Sequence, residues 1–460
     1  MNGAGLTEAD AKRLLEIDMA HIWHPYTQMK DFEDRELLFI HRAEGVFLWD
    51  VYGNRYYDTI SSWWCILHGH GHPTIKGHIR RQLDRLEQIH FAGTTHEGPI
   101  RLVEGLNPLL PGPLRRFFFS DNGSTANEVA LKMSLQYWKQ TGQPERERFV
   151  SLERGYHGDT IGTISLGGVP AFEGPFQAVT FDSYKVPAPY CYRCPAGKEQ
   201  GSCALECTAP LEELLEKQGS TIAAMILEPM LMGAGGMIVY PAGYLKRVEE
   251  LCRACGCHLI LDEVATGFGR TGRMFAMEHA GVVPDFVCLS KGITGGFLPL
   301  AVTVTTDEIY DAFYADYSEG KTFFHGHTFT ANPLAAAAAV GSLEVFREEF
   351  VMERLPARVE RLQEGARALA GLQLVGDVRG IGMVAAFELV ADKGSRAPFD
   401  PAKRAGFQVY LEGLKRGVIL RPLSDVIYLF LPLCTTRQQI EDILDRTASS
   451  IEAAAGRLTA

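Results

Sequence analysis

The chain has no run of the roughly 18 apolar residues that a bilayer-spanning helix requires. Its most apolar stretch, 333–340, is short and mostly alanine, which reads as a tightly packed helix. The first twenty residues mix Glu8, Asp10, Lys12, Arg13 and Glu16 with apolar neighbours and lack the uncharged core of a signal peptide. A cytoplasmic protein that neither spans nor coats a membrane is the expectation. A basic excess is missing too. With 45 Lys+Arg against 56 Asp+Glu the formal charge is −11, which argues against a nucleic-acid partner, since such a surface carries a basic patch or stripe. No repeat and no low-complexity tract interrupts the sequence. Ten cysteines over 460 residues are too sparse for a secreted disulfide scaffold.

What is present reads as two kinds of structure. Thr7 and Asp10 ahead of Leu14 form a capping-box pattern at a helix start. Residues 45–58 carry aromatic and β-branched residues on either side of Gly53-Asn54, the signature of a hairpin. Beyond about Gly77 the near-continuous apolar runs 117–119, 223–227, 258–261 and 286–289 alternate with helical segments 127–140, 211–217 and 244–254. Strands buried on both faces of a parallel sheet look like this, so an α/β sheet domain is expected over 77–344. From 345 to 460 the character is α+β, with helices 355–370 and 437–455 beside strands 384–389 and 426–430. This part is expected to join residues 1–76 in a smaller domain. Residues 183–208, rich in Pro, Cys, Tyr and Gly, read as a surface insertion.

In an open parallel sheet ligands gather at the carboxyl ends of the strands. Four polar segments fall there. Ser120-Asp-Asn-Gly123-Ser124-Thr125 opens a helix, and a helix N-terminus offers free N–H groups to an anion. Asp262-Glu263-Val264 follows the run 258–261, and a carboxylate at a buried strand end needs a partner; an N-cap, a salt bridge or a protonated pyridine nitrogen would each serve. Ser290-Lys291-Gly292 follows the run 286–289. A lysine there can be desolvated and lose its proton, as Schiff-base chemistry needs, whereas the Walker spacing of a phosphate-binding lysine is absent. The fourth is His325-Gly326-His327-Thr328, a polar turn before the helix start at Pro333.

The order of these segments, with the stretch 261–272 (Leu-Asp-Glu-Val-Ala-Thr-Gly-Phe-Gly-Arg-Thr-Gly) and Lys291-Gly-Ile-Thr-Gly-Gly296, resembles the class III, or ω-, aminotransferases. The resemblance runs from about Trp23 to Ser449. It implies the aspartate-aminotransferase-like fold (pyridoxal-phosphate fold type I): a large α/β domain with a mostly parallel sheet and a smaller α+β domain from both chain ends. It implies pyridoxal 5'-phosphate as cofactor, Lys291 as its Schiff-base and proton-shuttling residue, and Asp262 as partner of the ring nitrogen. Val264 and Tyr156 would face the two sides of the ring, and Gly123 and Ser124 would hold the phosphate. His327 and Thr328 are also placed at the cofactor, Thr328 at the phosphate bound by the other subunit, which implies a homodimer with shared sites.

Within that family the chain is similar to a branch that aminates 8-amino-7-oxononanoate with S-adenosylmethionine. The matching residues are His21-Ile-Trp-His-Pro-Tyr-Thr27, Ser61-Ser-Trp63-Trp64, His68-Gly69, Tyr156-His-Gly-Asp-Thr160, Ala265 and Arg421-Pro422. Arg421 could grip the carboxylate of such a substrate, and Tyr26, Trp63 and Trp64 could wall its methylene chain. Tyr156, Lys291 and Gly326 complete the implied substrate set, and Tyr26 also joins Lys291 and Asp262 as a catalytic residue. Ordinary core remains the competing reading for the tryptophans, and a surface salt bridge for Arg421. Lysine as donor stays open, because His325-Gly-His-Thr328 departs from the family's Gly-Pro-Thr. So do a diamine, ornithine or 4-aminobutyrate aminotransferase, a cofactor-dependent decarboxylase and a non-catalytic cofactor-binding regulator. No metal is expected among the site residues, and whether Cys191, Cys194, Cys203 and Cys207 bind one stays open. His68, His70 and His72 read as a turn, the zinc-like spacing of Cys191, Cys194, Cys203 and Cys207 lies away from the four strand ends, and Cys252, Cys255 and Cys257 read as buried small residues.

Overall fold

A computed structural model describes residues 6–35 and 37–458. Near the N-terminus, β1 (Ile40–Glu44), β2 (Phe47–Asp50) and β3 (Arg55–Tyr57) form an antiparallel sheet. Asp50 ties the turn between β2 and β3, accepting from the backbone of Tyr52 and Asn54 and from the Asn54 side chain.

The large sheet has seven strands: β4 (Arg116–Ser120), β5 (Arg148–Leu152), β6 (Tyr184–Val186), β7 (Ile222–Leu227), β10 (His258–Asp262), β11 (Phe286–Leu289) and β12 (Ala301–Thr305), the intervening β8 (Leu231–Met232) and β9 (Ile238–Val239) making a separate ribbon. Their order is β4-β12-β11-β10-β7-β5-β6. Only β12 runs against its neighbours. Every residue of β7, β10, β11 and β12 is buried, because helices cover both faces of the sheet; this is why the sequence shows unbroken apolar runs instead of alternation. The insertion expected over 183–208 begins differently from that reading: β6 extends the sheet at its edge beside β5. Three residues with Lys185 in the middle are too short to show a strand period.

A third sheet, β13 (Val375–Ile381), β14 (Val384–Leu389) and β15 (Val426–Phe430), is antiparallel. It is joined to the N-terminal segment: the N–H of Phe430 donates to the carbonyl of Thr59, that of Leu433 to Leu67, and Ser61 Oγ to the carbonyl of Phe430. The two chain ends thus close over the carboxyl ends of the parallel strands.

Candidate active site

Five chain segments leave the large sheet at that edge and line one cavity of about 630 Å³. After β4 comes Asp121-Asn122-Gly123-Ser124; after β5, Tyr156-His157-Gly158; after β7, Glu228; at the end of β10, Asp262; and after β11, Ser290-Lys291. Residues 63–65 form the wall from the N-terminal segment.

Asn122 caps the helix Gly123–Gln140, accepting from Thr125 N–H at 3.1 Å, so the free N–H groups of its first turn open on the cavity. The cradle is tight. A Cβ on Gly123 would stand 2.6 Å from Val264 Cγ1, and one on Gly158, whose φ is +129°, would stand 2.0 Å from Ser124 Oγ. Only glycine lets the backbone approach this closely. Four residues further along the same helix face, Asn127 donates to Asp262 Oδ2 at 2.8 Å. His157 Nδ1 lies 2.8 Å from the same oxygen, and the N–H of Val264 donates to Oδ1 at 3.1 Å. Asp262 is 4% exposed, and these three contacts hold its carboxylate aimed into the cavity.

Lys291 takes a left-handed φ of +45°, and its Nζ stands 4.9 Å from the centre of the Trp64 ring. Burial pulls its pKa below the ordinary lysine value, with Asp262 and Glu228 opposing. Glu228 is pushed up to about 7 by burial, which outweighs nearby His157 and the N–H groups of Gly233 and Tyr156 that it accepts.

The other side of the cavity is aromatic. Trp64, 4% exposed, stacks on Phe430 and donates from Nε1 to the Tyr428 hydroxyl at 3.1 Å. Trp63 is 42% exposed and carries the Arg421 guanidinium 4.9 Å from its ring centre. Tyr26 meets Trp63 edge-on, and its hydroxyl donates to Asp159 Oδ1 at 2.5 Å. The Tyr156 hydroxyl donates to the other oxygen of Asp159 at 3.0 Å. Burial, then Asp159, raises the Tyr26 hydroxyl to about 12. Ser61, Ser62 and Trp64, like Tyr26 and Lys291, hold a positive φ. Asp58 braces this stretch, accepting from the backbone and hydroxyl of Ser62.

The structure therefore gathers Gly123, Ser124, Tyr156, Asp262, Val264, Lys291, Trp63 and Trp64 around the cavity, with Tyr26 and Arg421 beside Trp63. Gly326, His327 and Thr328 do not line it within one chain. Gly326 and Thr328 are exposed, the Thr328 carbonyl accepts from Gln88, and His327 sits 2.8 Å from Asp121 at the rim. His68, His70 and His72 go to three separate partners, Ser342, Asp58 and Glu349. Sequence reasoning gave no role to Asn127, His157, Asp159 or Glu228, although His157 and Asp159 fall in the quoted stretch 156–160. Glu228 follows β7 as Asp262 ends β10, and the strand-end rule could have found it.

The donor set fits pyridoxal phosphate on this chain's own geometry: a helix N-terminus for the phosphate, a buried carboxylate for the ring nitrogen, and a desolvated lysine amine with no hydrogen-bond partner among the described residues. The chain belongs to the family described as Aminotransferase class-III, which matches residues 29–451. Members of this class depend on pyridoxal phosphate. Among its relatives is the adenosylmethionine-8-amino-7-oxononanoate aminotransferase of Geobacter sulfurreducens, 45% identical over 452 residues, with 98% of this chain and all of the relative covered. The crystal structure of the enzyme of the same name from Methanocaldococcus jannaschii is similar at a TM-score of 0.92 and 39% identity, covering 96% and 99% of the two chains. The ω-transaminase of Pseudomonas jessenii in complex with PMP reaches 0.92 at 31% identity, covering 97% and 99%.

Proposed function

We propose that this protein transfers an amino group from S-adenosylmethionine to 8-amino-7-oxononanoate, giving 7,8-diaminononanoate in biotin biosynthesis. The observation that carries the reading is the juxtaposition of the desolvated Lys291 amine with an aromatic wall whose far side holds a guanidinium, Arg421. An acceptor of this kind has a ketone at one end, a carboxylate at the other and methylenes between, and the wall offers a group for each.

The cofactor, when bound, supplies an aldehyde to take up the amino group and a ring to accept an electron pair. The residues do the rest. Lys291 Nζ holds the cofactor and then relays a proton, for which its lowered pKa suits it. Asp262 keeps the ring nitrogen protonated. Val264 and Tyr156 would flank the ring, and Gly123, Ser124 and the helix N-terminus would take the phosphate. Tyr26 and Trp64 exclude water along the substrate, and Arg421 takes its carboxylate.

The same reading makes the protein a cytoplasmic homodimer in which Gly326, His327 and Thr328 serve the partner's cavity. Supporting this, Phe324 and Phe329 of that loop are 80% and 59% exposed, and an apolar groove of about 540 Å³ lined by Phe91, Ile100, Phe118 and Phe323 lies nearby.

The test is to incubate the holoenzyme with the keto acid and either S-adenosylmethionine or lysine, following diaminononanoate by mass spectrometry. Product with S-adenosylmethionine is expected. Product with lysine alone would reassign the donor, and product with neither would remove the biotin-pathway reading.

A further inference from the structure

Between β6 and the helix Ala209–Gln218 the chain runs through residues 187–208 with only two short 3₁₀ turns, Cys191–Arg193 and Glu206–Thr208. A loop this long, past roughly 12–15 residues, needs something to fix it. Four of the protein's cysteines lie in it, in two close pairs, Cys191-x2-Cys194 and Cys203-x3-Cys207. Gly197, at a φ of +65°, donates its N–H to the carbonyl of Cys194 at 3.0 Å and turns the chain back after the first pair. Cys207 sits in the second 3₁₀ turn.

The two arms converge. All four cysteines line one small cavity of about 20 Å³, closed by Pro195, Leu205 and neighbouring residues. That volume is about what a single water-sized sphere needs. None of the four is in a disulfide. As the side chains stand, no three such groups among the described residues are placed to hold an ion, so ion binding requires the thiols to move closer together.

We propose that Cys191, Cys194, Cys203 and Cys207 form a structural zinc site. Both spacings fall within the range that lets paired thiolates share a tetrahedral ion, and four soft sulfur ligands select zinc over the hard cations. Binding converts four thiols to thiolates and releases four protons; no electron is transferred. The closed shell leaves no position for substrate, so the ion's role is to fasten the loop.

What the loop fastens is specific. Arg193 Nε donates to Glu388 Oε1 at 2.8 Å, the Tyr190 hydroxyl donates to the other oxygen of Glu388, and Arg396 Nη1 donates to the Tyr192 carbonyl at 2.5 Å. The Arg154 guanidinium lies 5.5 Å from the centre of the Tyr190 ring, two residues before Tyr156. The zinc site thus braces the stretch of chain that carries Tyr156 into the main cavity, and it stands whether or not that cavity performs transamination.

Holoenzyme purified without chelators and with reductant present should contain about one zinc per chain by elemental analysis. An organomercurial should release that zinc to a chromogenic chelator. Cys194→Ser with Cys207→Ser should lose the zinc while keeping the cofactor's visible absorption, and should melt at lower temperature. Should that variant fail to fold, the wild type gives the answer alone, through zinc-dependent protection of four thiols against a disulfide reagent. The proposal is overturned by zinc below about a tenth per chain after incubation with zinc sulfate and removal of the excess. It is equally overturned by iron in place of zinc, by a native disulfide in this loop, or by thiols that react equally fast with and without zinc.

Discussion

Asp262 Oδ2 accepts two hydrogen bonds at once, from Asn127 Nδ2 and from His157 Nδ1, each 2.8 Å long. With the Val264 N–H on its other oxygen, the carboxylate cannot rotate away from the cavity. Asp262→Asn keeps the shape and removes the charge. Turnover should fall by at least about a hundredfold with the far-ultraviolet circular dichroism unchanged. Near-normal turnover in a folded variant would refute the role given to Asp262.

Lys291 lines the same cavity as that carboxylate. Borohydride treatment of the holoenzyme, digestion and mass spectrometry should find the cofactor fixed to the peptide bearing Lys291. Lys291→Ala should bind cofactor without becoming labelled. A label on any other lysine would contradict the assignment.

Arg421 rests on Trp63, its guanidinium 4.9 Å from the ring centre. Arg421→Ala should raise KM for the keto acid far more than for the donor. A lost charge-assisted contact of about 2–3 kcal/mol corresponds to roughly thirty- to more than a hundredfold in kcat/KM. Equal effects on both substrates would mean that Arg421 does not grip the acceptor's carboxylate.

Glu263 is wholly buried outside the cavity, and burial pushes its carboxyl up to about 7 from 4.5, despite the Thr266 hydroxyl and the Met277 and Ala276 N–H groups that favour its charge. Between those two values the folded protein binds a proton that the unfolded chain has released. This contribution to stability is full below about pH 4.5 and is lost as pH rises through about 7. Melting curves of wild type and Glu263→Gln should therefore diverge in the variant's favour on going from pH 5 to pH 8. A constant difference would show that Glu263 does not titrate in this range.

Thr328 is exposed on one chain. If it serves the partner's cavity, dilution below the dimer's dissociation constant should release cofactor, and Thr328→Ala should weaken cofactor binding without changing the light-scattering mass. A monomer that keeps full cofactor occupancy would exclude the shared site.

The strands that carry Asp262 and Lys291 were legible because β10 and β11 are buried on both faces and read as unbroken apolar runs. β12 is as deeply buried, yet Thr303 and Thr305 interrupt it, each satisfied by a carbonyl that only the folded sheet supplies, of Ala126 and of Asp285. The side chains that hold Asp262 in place were hidden for the same reason. Asn127 lies 135 residues from Asp262 in sequence, and nothing local marks the pair. The cysteine pairs could be counted from the sequence, but their convergence depends on how a loop without a strand returns on itself.

Arg270 is fully buried, with its guanidinium 4.2 Å from the centre of the Phe430 ring. It donates to the carbonyls of Leu431 and Ile66 and to Ser61 Oγ. One cation thus knots together the start, the middle and the last strand of the chain. During synthesis on the ribosome the large sheet can assemble well before β15 emerges, but Trp64 has no seat until Phe430 and Tyr428 arrive. A nascent chain stalled short of that strand would carry the lysine and its carboxylate without the seat that holds Trp64, so the aromatic wall is completed long after the strands that carry the lysine and its carboxylate.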